Sequence, residues 1–189
     1  MQIEAPPRVR AALKPTSARR GLVIVHTGDG KGKSTAAYGL ALRAFGRRKS
    51  VKIFQFTKAA SSRVGEHRLF AQLGIPIEVL GDGYEWDCRD AAHCVQLAGQ
   101  SWARANAAIH GGKHFMVVLD DIMVALRHGW LKLDDLLQSL RTRPAHVHVV
   151  LTGRNAPQDL IDLADTVTRM TLIKHHYMAG VAMQRGIED

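Results

Sequence analysis

Apolar residues fall into short uninterrupted runs separated by segments in which they recur every three or four positions. Leu22 to Val25, Val51 to Phe56, Ile75 to Leu80, Phe115 to Leu119, Val147 to Leu151 and Thr166 to Leu172 are strand-length runs. Most are rich in β-branched and aromatic residues, as strands buried on both faces are. Between them, Lys33 to Phe45 (closed by Gly46), Arg63 to Leu73 (stopped by Gly74), Asp90 to Ile109, Lys132 to Arg141 and Gln158 to Ala164 read as helices. Leu133, Leu136, Leu137 and Leu140 share one helical face, and Val95, Trp102 and Ile109 recur at seven-residue spacing, which assigns Trp102 to the core rather than to a site. This alternation predicts an α/β fold, a mainly parallel sheet of about six strands with helices on both faces.

The first strand runs directly into a glycine-rich loop and a helix. Gly28, Gly30 and Gly32 permit tight turning and close backbone approach, and Ser34-Thr35-Ala36-Ala37 opens a helix whose first amides face an anion. This is a phosphate loop, and it makes the fold P-loop NTPase-like. Gly28, Asp29, Gly30, Lys31, Gly32, Lys33, Ser34 and Thr35 are the candidate ATP-binding residues, with Lys33 the mobile cation and Ser34 the hydroxyl for Mg²⁺. The usual pattern has a glycine five positions before the Gly of Gly-Lys-Ser/Thr, where this chain has Thr27; Gly28 precedes Gly32 by only four, so the loop is one residue short. The shortened cradle supports nucleoside triphosphate binding more firmly than γ-phosphate hydrolysis.

A chain of 189 residues, 46% hydrophobic, supports one compact domain, taken as residues 21–189. Residues 1–20 carry Pro6, Pro7 and Pro15 with Arg8, Arg10, Lys14, Arg19 and Arg20 and lack an apolar core, so they read as a basic flexible arm rather than a secretory signal. Every apolar run is too short to span a membrane. Cys88 and Cys94, separated by five residues, supply neither a disulfide framework nor a zinc site, and a reduced, cytoplasmic protein follows. A net charge of +9 implies anionic partners, for which a nucleotide polyphosphate suffices and nucleic acid is not required.

The run Phe115 to Leu119 delivers Asp120 and Asp121 to the carboxyl end of a strand, where ligands bind in open α/β sheets. Either carboxylate can hold Mg²⁺ directly or through water, or serve as a helix start. His146 and His148 alternate on a strand without a third ligand and read as surface or packing residues; His175-His176, beside Lys174, are placed to meet phosphate or a partner subunit.

Taken together, Thr27-Gly28-Asp29-Gly30-Lys31-Gly32-Lys33-Ser34-Thr35, Gln55-Phe56-Thr57-Lys58, Gly83-Tyr84-Glu85-Trp86, Val117-Val118-Leu119-Asp120-Asp121, Leu151-Thr152-Gly153-Arg154, Asp162-Leu163-Ala164-Asp165, Lys174-His175 and Gly186-Ile187-Glu188 resemble, in order and spacing, the P-loop ATP:cob(I)alamin (corrinoid) adenosyltransferases. The resemblance covers nearly the whole chain from Gly21. It implies a reaction in which Co(I) of a reduced corrinoid (cobalamin, cobinamide or cobyrinic acid a,c-diamide) attacks C5′ of ATP and displaces triphosphate, with Mg²⁺ as cofactor. Lys33 is the implied catalytic cation, Arg154 joins the ATP site, and Ser34, Asp120 and Asp121 form the implied metal set. Tyr84 and Trp86 take the family's aromatic positions, which strip the axial ligand from Co(II) to ease its reduction. An electron donor such as a reduced flavoprotein, and a homodimer, are implied as partners. The chain departs from the family pattern at Asp121 (usually Glu), Thr57 (usually aliphatic), Tyr84 (usually Phe) and His128 (commonly Tyr). A basic P-loop NTPase acting on nucleic acid, or a corrinoid-binding paralogue without turnover, are the alternatives at this stage.

Overall fold

The computed structural model of the protein describes residues 19–59, 64–81 and 91–188. Six strands, β1 (Val23–Thr27), β2 (Val51–Ala59), β3 (Ile77–Gly81), β4 (Met116–Asp120), β5 (His148–Thr152) and β6 (Thr166–Arg169), form one sheet in the order β3-β2-β4-β5-β1-β6. Every pairing is parallel. The crossovers carry α1 (Lys33–Gly46), α2 (Gly65–Leu73), α3 (Ala91–His110), α4 (Ile122–Arg127), α5 (Leu133–Thr142) and α6 (Gln158–Leu163).

Because strand side chains alternate between faces, one apolar run builds two cores. Val117 and Leu119 of β4 join Val23, Val25, Val149 and Leu151 under α3, α4, α5 and α6. Met116 and Val118 join Val150, Ile53 and Phe70 beneath α1 and α2. The sheet is thus covered on both faces, as the continuous apolar runs require.

The structure changes several boundaries. Helix α4 follows Asp121 at once and is absent from the sequence reading, because Ile122-Met123-Val124-Ala125-Leu126 continues the apolar run of β4. The break is made by Asp121 itself, in the left-handed conformation at φ 57°. Strand β6 ends at Arg169 rather than Leu172, because Met170 turns to bond the phosphate loop. On α3 the buried positions are Ala98, Ser101, Ala105 and Ile109, with Trp102 partly buried against them, while Val95 is exposed. Cys94 is disulfide-bonded, against the expectation of a reduced thiol; counting cysteines argues against a framework, and a single bridge needs none.

Arg20, the last residue of the basic arm, is fastened to Asp165, which also accepts from the Val23 amide at 2.9 Å. His148, half-buried, accepts at Nδ1 from the Leu22 amide at 3.1 Å and serves packing, while His146 is a surface residue whose Nε2 lies 2.9 Å from the Gly112 carbonyl. After β6 the chain runs through a short 3₁₀ turn, His176–Ala179, and presents Ile173, Tyr177, Met178, Met183 and Ile187 outward. Among the described residues no helix is long and apolar enough to cross a membrane.

Candidate active site

The loop between β1 and α1 lies at the carboxyl edge of the sheet. Gly28 has φ +97°, and a Cβ there would stand 2.3 Å from the Met170 carbonyl oxygen, so both conformation and space demand glycine. Met170 straps the loop in both directions. Its amide donates to the Thr27 carbonyl at 2.8 Å, and its carbonyl accepts from the Gly30 amide at 2.8 Å. The Gly30 N–H is therefore committed to the protein. The first turn of α1 has no acidic residue and no side-chain cap, which leaves its orphan amides directed at an incoming anion.

Lys33, the first residue of α1, donates from Nζ to the Gly30 carbonyl at 2.7 Å. Burial, then the charge of Arg154, pushes its ammonium below the usual lysine range, while Asp121 and Asp29 pull it back. Asp121 and Arg154, far from the loop in sequence, thus share one electrostatic environment with Asp29, Lys31 and Lys33. Ser34 is half-buried in the first turn of α1, and Thr35 and Arg154 are exposed.

The two carboxylates behave differently. Asp120 is 1% exposed, and its Oδ2 accepts from the Tyr38 hydroxyl at 2.6 Å and Gln55 Nε2 at 3.1 Å, its Oδ1 from the Thr152 hydroxyl at 2.7 Å. Asp121 is half-buried; its backbone amide donates to Thr152 Oγ1 at 2.9 Å and its Oδ2 accepts from the Thr57 hydroxyl at 3.2 Å. Gln55 is paired with Asp120, and His26 with Thr152, in the sheet register. A row of polar residues thus closes the strands just behind the loop. Within it His26 is 7% exposed, and neither ring nitrogen has a hydrogen-bond partner among the described residues. Burial drives its pKa down and keeps the ring neutral.

On the outer side of the loop, Lys31 Nζ lies 2.6 Å from Glu188 Oε1. His175 Nε2 is 3.2 Å from the same oxygen and His176 Nε2 is 2.8 Å from Oε2. The Lys31 bond is the main reason that the Glu188 carboxyl lies below its ordinary range. The sequence offered Lys31, His175 and Glu188 in separate segments, with no signal that they meet. Tyr84 and Trp86, the expected aromatic wall, lie outside the described residues.

With this geometry in view, the comparisons are specific. The family model of ATP:corrinoid adenosyltransferase BtuR/CobO/CobP matches residues 19–188. The chain belongs to this family. It is 40% identical over 171 residues to a corrinoid adenosyltransferase of Pseudomonas aeruginosa, covering 89% of this chain and 84% of that protein. It is 36% identical over 185 residues to the corrinoid adenosyltransferase CobA of Salmonella typhimurium, covering 96% and 92%. Among solved structures, the ATPase EscN of the enteropathogenic E. coli type III secretion system superposes with a TM-score of 0.50 at 16% identity, over 79% of this chain and 42% of that one. That likeness concerns the fold alone.

Proposed function

We propose that the protein transfers the 5′-deoxyadenosyl group of ATP to the Co(I) centre of a reduced corrinoid and releases triphosphate. Beyond family membership, the observation that carries this reading is the convergence of Lys33, Lys31 and Arg154 on a strapped phosphate loop. The reaction needs a stabilised leaving group and no general base, because the nucleophile is the metal of the substrate. An electron pair from Co(I) forms the Co–C5′ bond as the C5′–O bond breaks, and the bonding pair leaves on triphosphate. Lys33, Lys31, Arg154 and the first amides of α1 meet the charge that grows there, and the half-buried Lys33 is worth more there than in water.

The oxygen donors present fit Mg²⁺. Asp121 and the Ser34 hydroxyl would hold it, whereas Asp120, buried and already accepting three hydrogen bonds, orients the carboxyl edge of β4 instead. When bound, Mg²⁺ shares in neutralising the leaving triphosphate. Tyr84 and Trp86 clear the axial face of Co(II) in this reading, and a reduced flavoprotein in the cytoplasm supplies the electron. A homodimer is part of the proposal, supported by the outward apolar side chains of Ile173, Met178, Met183 and Ile187. The protein with ATP, Mg²⁺ and chemically reduced cobalamin should yield a light-sensitive Co–C product. Lys33→Ala should abolish it while retaining the fold; no product from the wild type, or unimpaired turnover in that variant, overturns the proposal.

A further inference from the structure

We infer that Glu188 is a positioning residue for the phosphate loop: it holds Lys31 toward the triphosphate site and is itself backed by His175, with His176 packed beside it. The inference rests on the proposed nucleotide site and extends it to the far end of the chain.

Lys31 stands between Gly30 and Gly32, both without side chains to brace it, and its own side chain is 63% exposed. Glu188 Oε1 lies 2.6 Å from its Nζ and takes one of the three ammonium donors, so two remain for phosphate oxygens. The carboxylate is only 10% exposed, with His175 Nε2 3.2 Å from Oε1 and His176 Nε2 packed 2.8 Å from Oε2 without hydrogen-bond geometry. The His175 tautomer is set by a further bond. Its Nδ1 accepts from the Tyr177 amide at 3.2 Å, which places the ring hydrogen on Nε2, facing Glu188. Two imidazoles and a carboxylate also have the make-up of a small metal site. The Lys31 ammonium sits against Oε1, where a divalent ion would need to be, and that favours an ion-pair network. With the Met170 strap, this makes two clasps by which the chain after β6 shapes the loop.

The test is calorimetric titration of inorganic tripolyphosphate into the full chain as wild type, Glu188→Gln, Lys31→Ala and the double variant, with ATP kinetics alongside. Glu188→Gln should weaken tripolyphosphate binding by about tenfold and raise KM for ATP while kcat changes little. The double variant should bind no worse than Lys31→Ala alone, because Glu188 acts through that lysine. Glu188→Asp and His176→Ala should show smaller losses at an unchanged melting temperature. Unchanged or tighter binding in Glu188→Gln, or losses that add in the double variant, overturns the inference. Tripolyphosphate binding is read without corrinoid, so this outcome is separable from failure of adenosyl transfer.

Discussion

The Thr57 hydroxyl donates to Oδ2 of Asp121 at 3.2 Å. Two residues from different strands, one inside β2 and one just past the end of β4, are therefore in contact at the carboxyl edge of the sheet. The hydroxyl fixes the Asp121 carboxylate, which the proposed function assigns to Mg²⁺. Thr57→Val should raise the Mg²⁺ concentration for half-maximal transfer by about tenfold or more, in keeping with the value of one hydrogen bond to a charged group, about 1.5–3 kcal/mol. Asp121→Asn should raise it further, and Asp121→Glu should preserve activity by restoring reach. Transfer rate measured against Mg²⁺ decides it; unchanged half-saturation in all three variants places the metal elsewhere.

Tyr38 and Asp120 form the buried counterpart of that pair. Burial, then the Asp120 charge, drives the Tyr38 hydroxyl well above its ordinary range, so it remains a donor. Tyr38→Phe leaves Asp120 one partner short in a site that water does not reach, which should cost about 1–3 kcal/mol of stability. Urea unfolding reads this directly, and an unshifted midpoint would show that the network contributes nothing.

Gly28 tests the strap. An alanine there meets both a disfavoured φ of +97° and the Met170 carbonyl oxygen at 2.3 Å. Gly28→Ala should reduce ATP binding by about fivefold or more through strain of roughly 1–3 kcal/mol confined to the loop. Fluorescent nucleotide titration with a parallel melting curve separates this from global unfolding.

Much of this was legible in the sequence, for physical reasons that differ by residue. The strands are apolar because both faces are covered, so Val117, Val118 and Leu119 announced β4 without ambiguity. His26, Gln55, Asp120 and Thr152 each stand at or near the polar end of such a run, which marks the carboxyl edge of the sheet. Helix α4 was hidden because a five-residue apolar stretch has no readable period after a strand, and only the backbone of Asp121 separates the two. The meeting of Lys31 with Glu188 was hidden for a different reason. It depends on where the chain after β6 returns, which no local pattern encodes.

Acidification should unfold the protein in two separable limbs. Burial is the main cause that lowers the pKa of His26, His114 and His148, aided by Lys52 and Lys113 at His114 and by Arg143 at His148. The unfolded chain thus binds more protons, and stability is lost as pH falls from the ordinary histidine value of about 6.5 toward the folded values. Asp165 is lowered chiefly by its bond to Arg20. Its contribution is present above the ordinary aspartate range and is lost as pH falls through its folded value. His148→Asn, which keeps an acceptor for the Leu22 amide, should shrink the first limb alone, and Asp165→Asn the second alone. Melting temperature recorded across pH for each variant checks the assignment, and a first limb that His148→Asn leaves intact contradicts it.

The phosphates of ATP carry the most direct test of adenosyl transfer. With chemically reduced cobalamin and ATP labelled at the γ-phosphorus, the label should appear in intact inorganic triphosphate, one equivalent for each Co–C bond formed, with no ADP. Label released as inorganic phosphate together with ADP, in step with turnover and without a Co–C bond, would mean that the loop serves hydrolysis and that the account of a triphosphate leaving group is wrong.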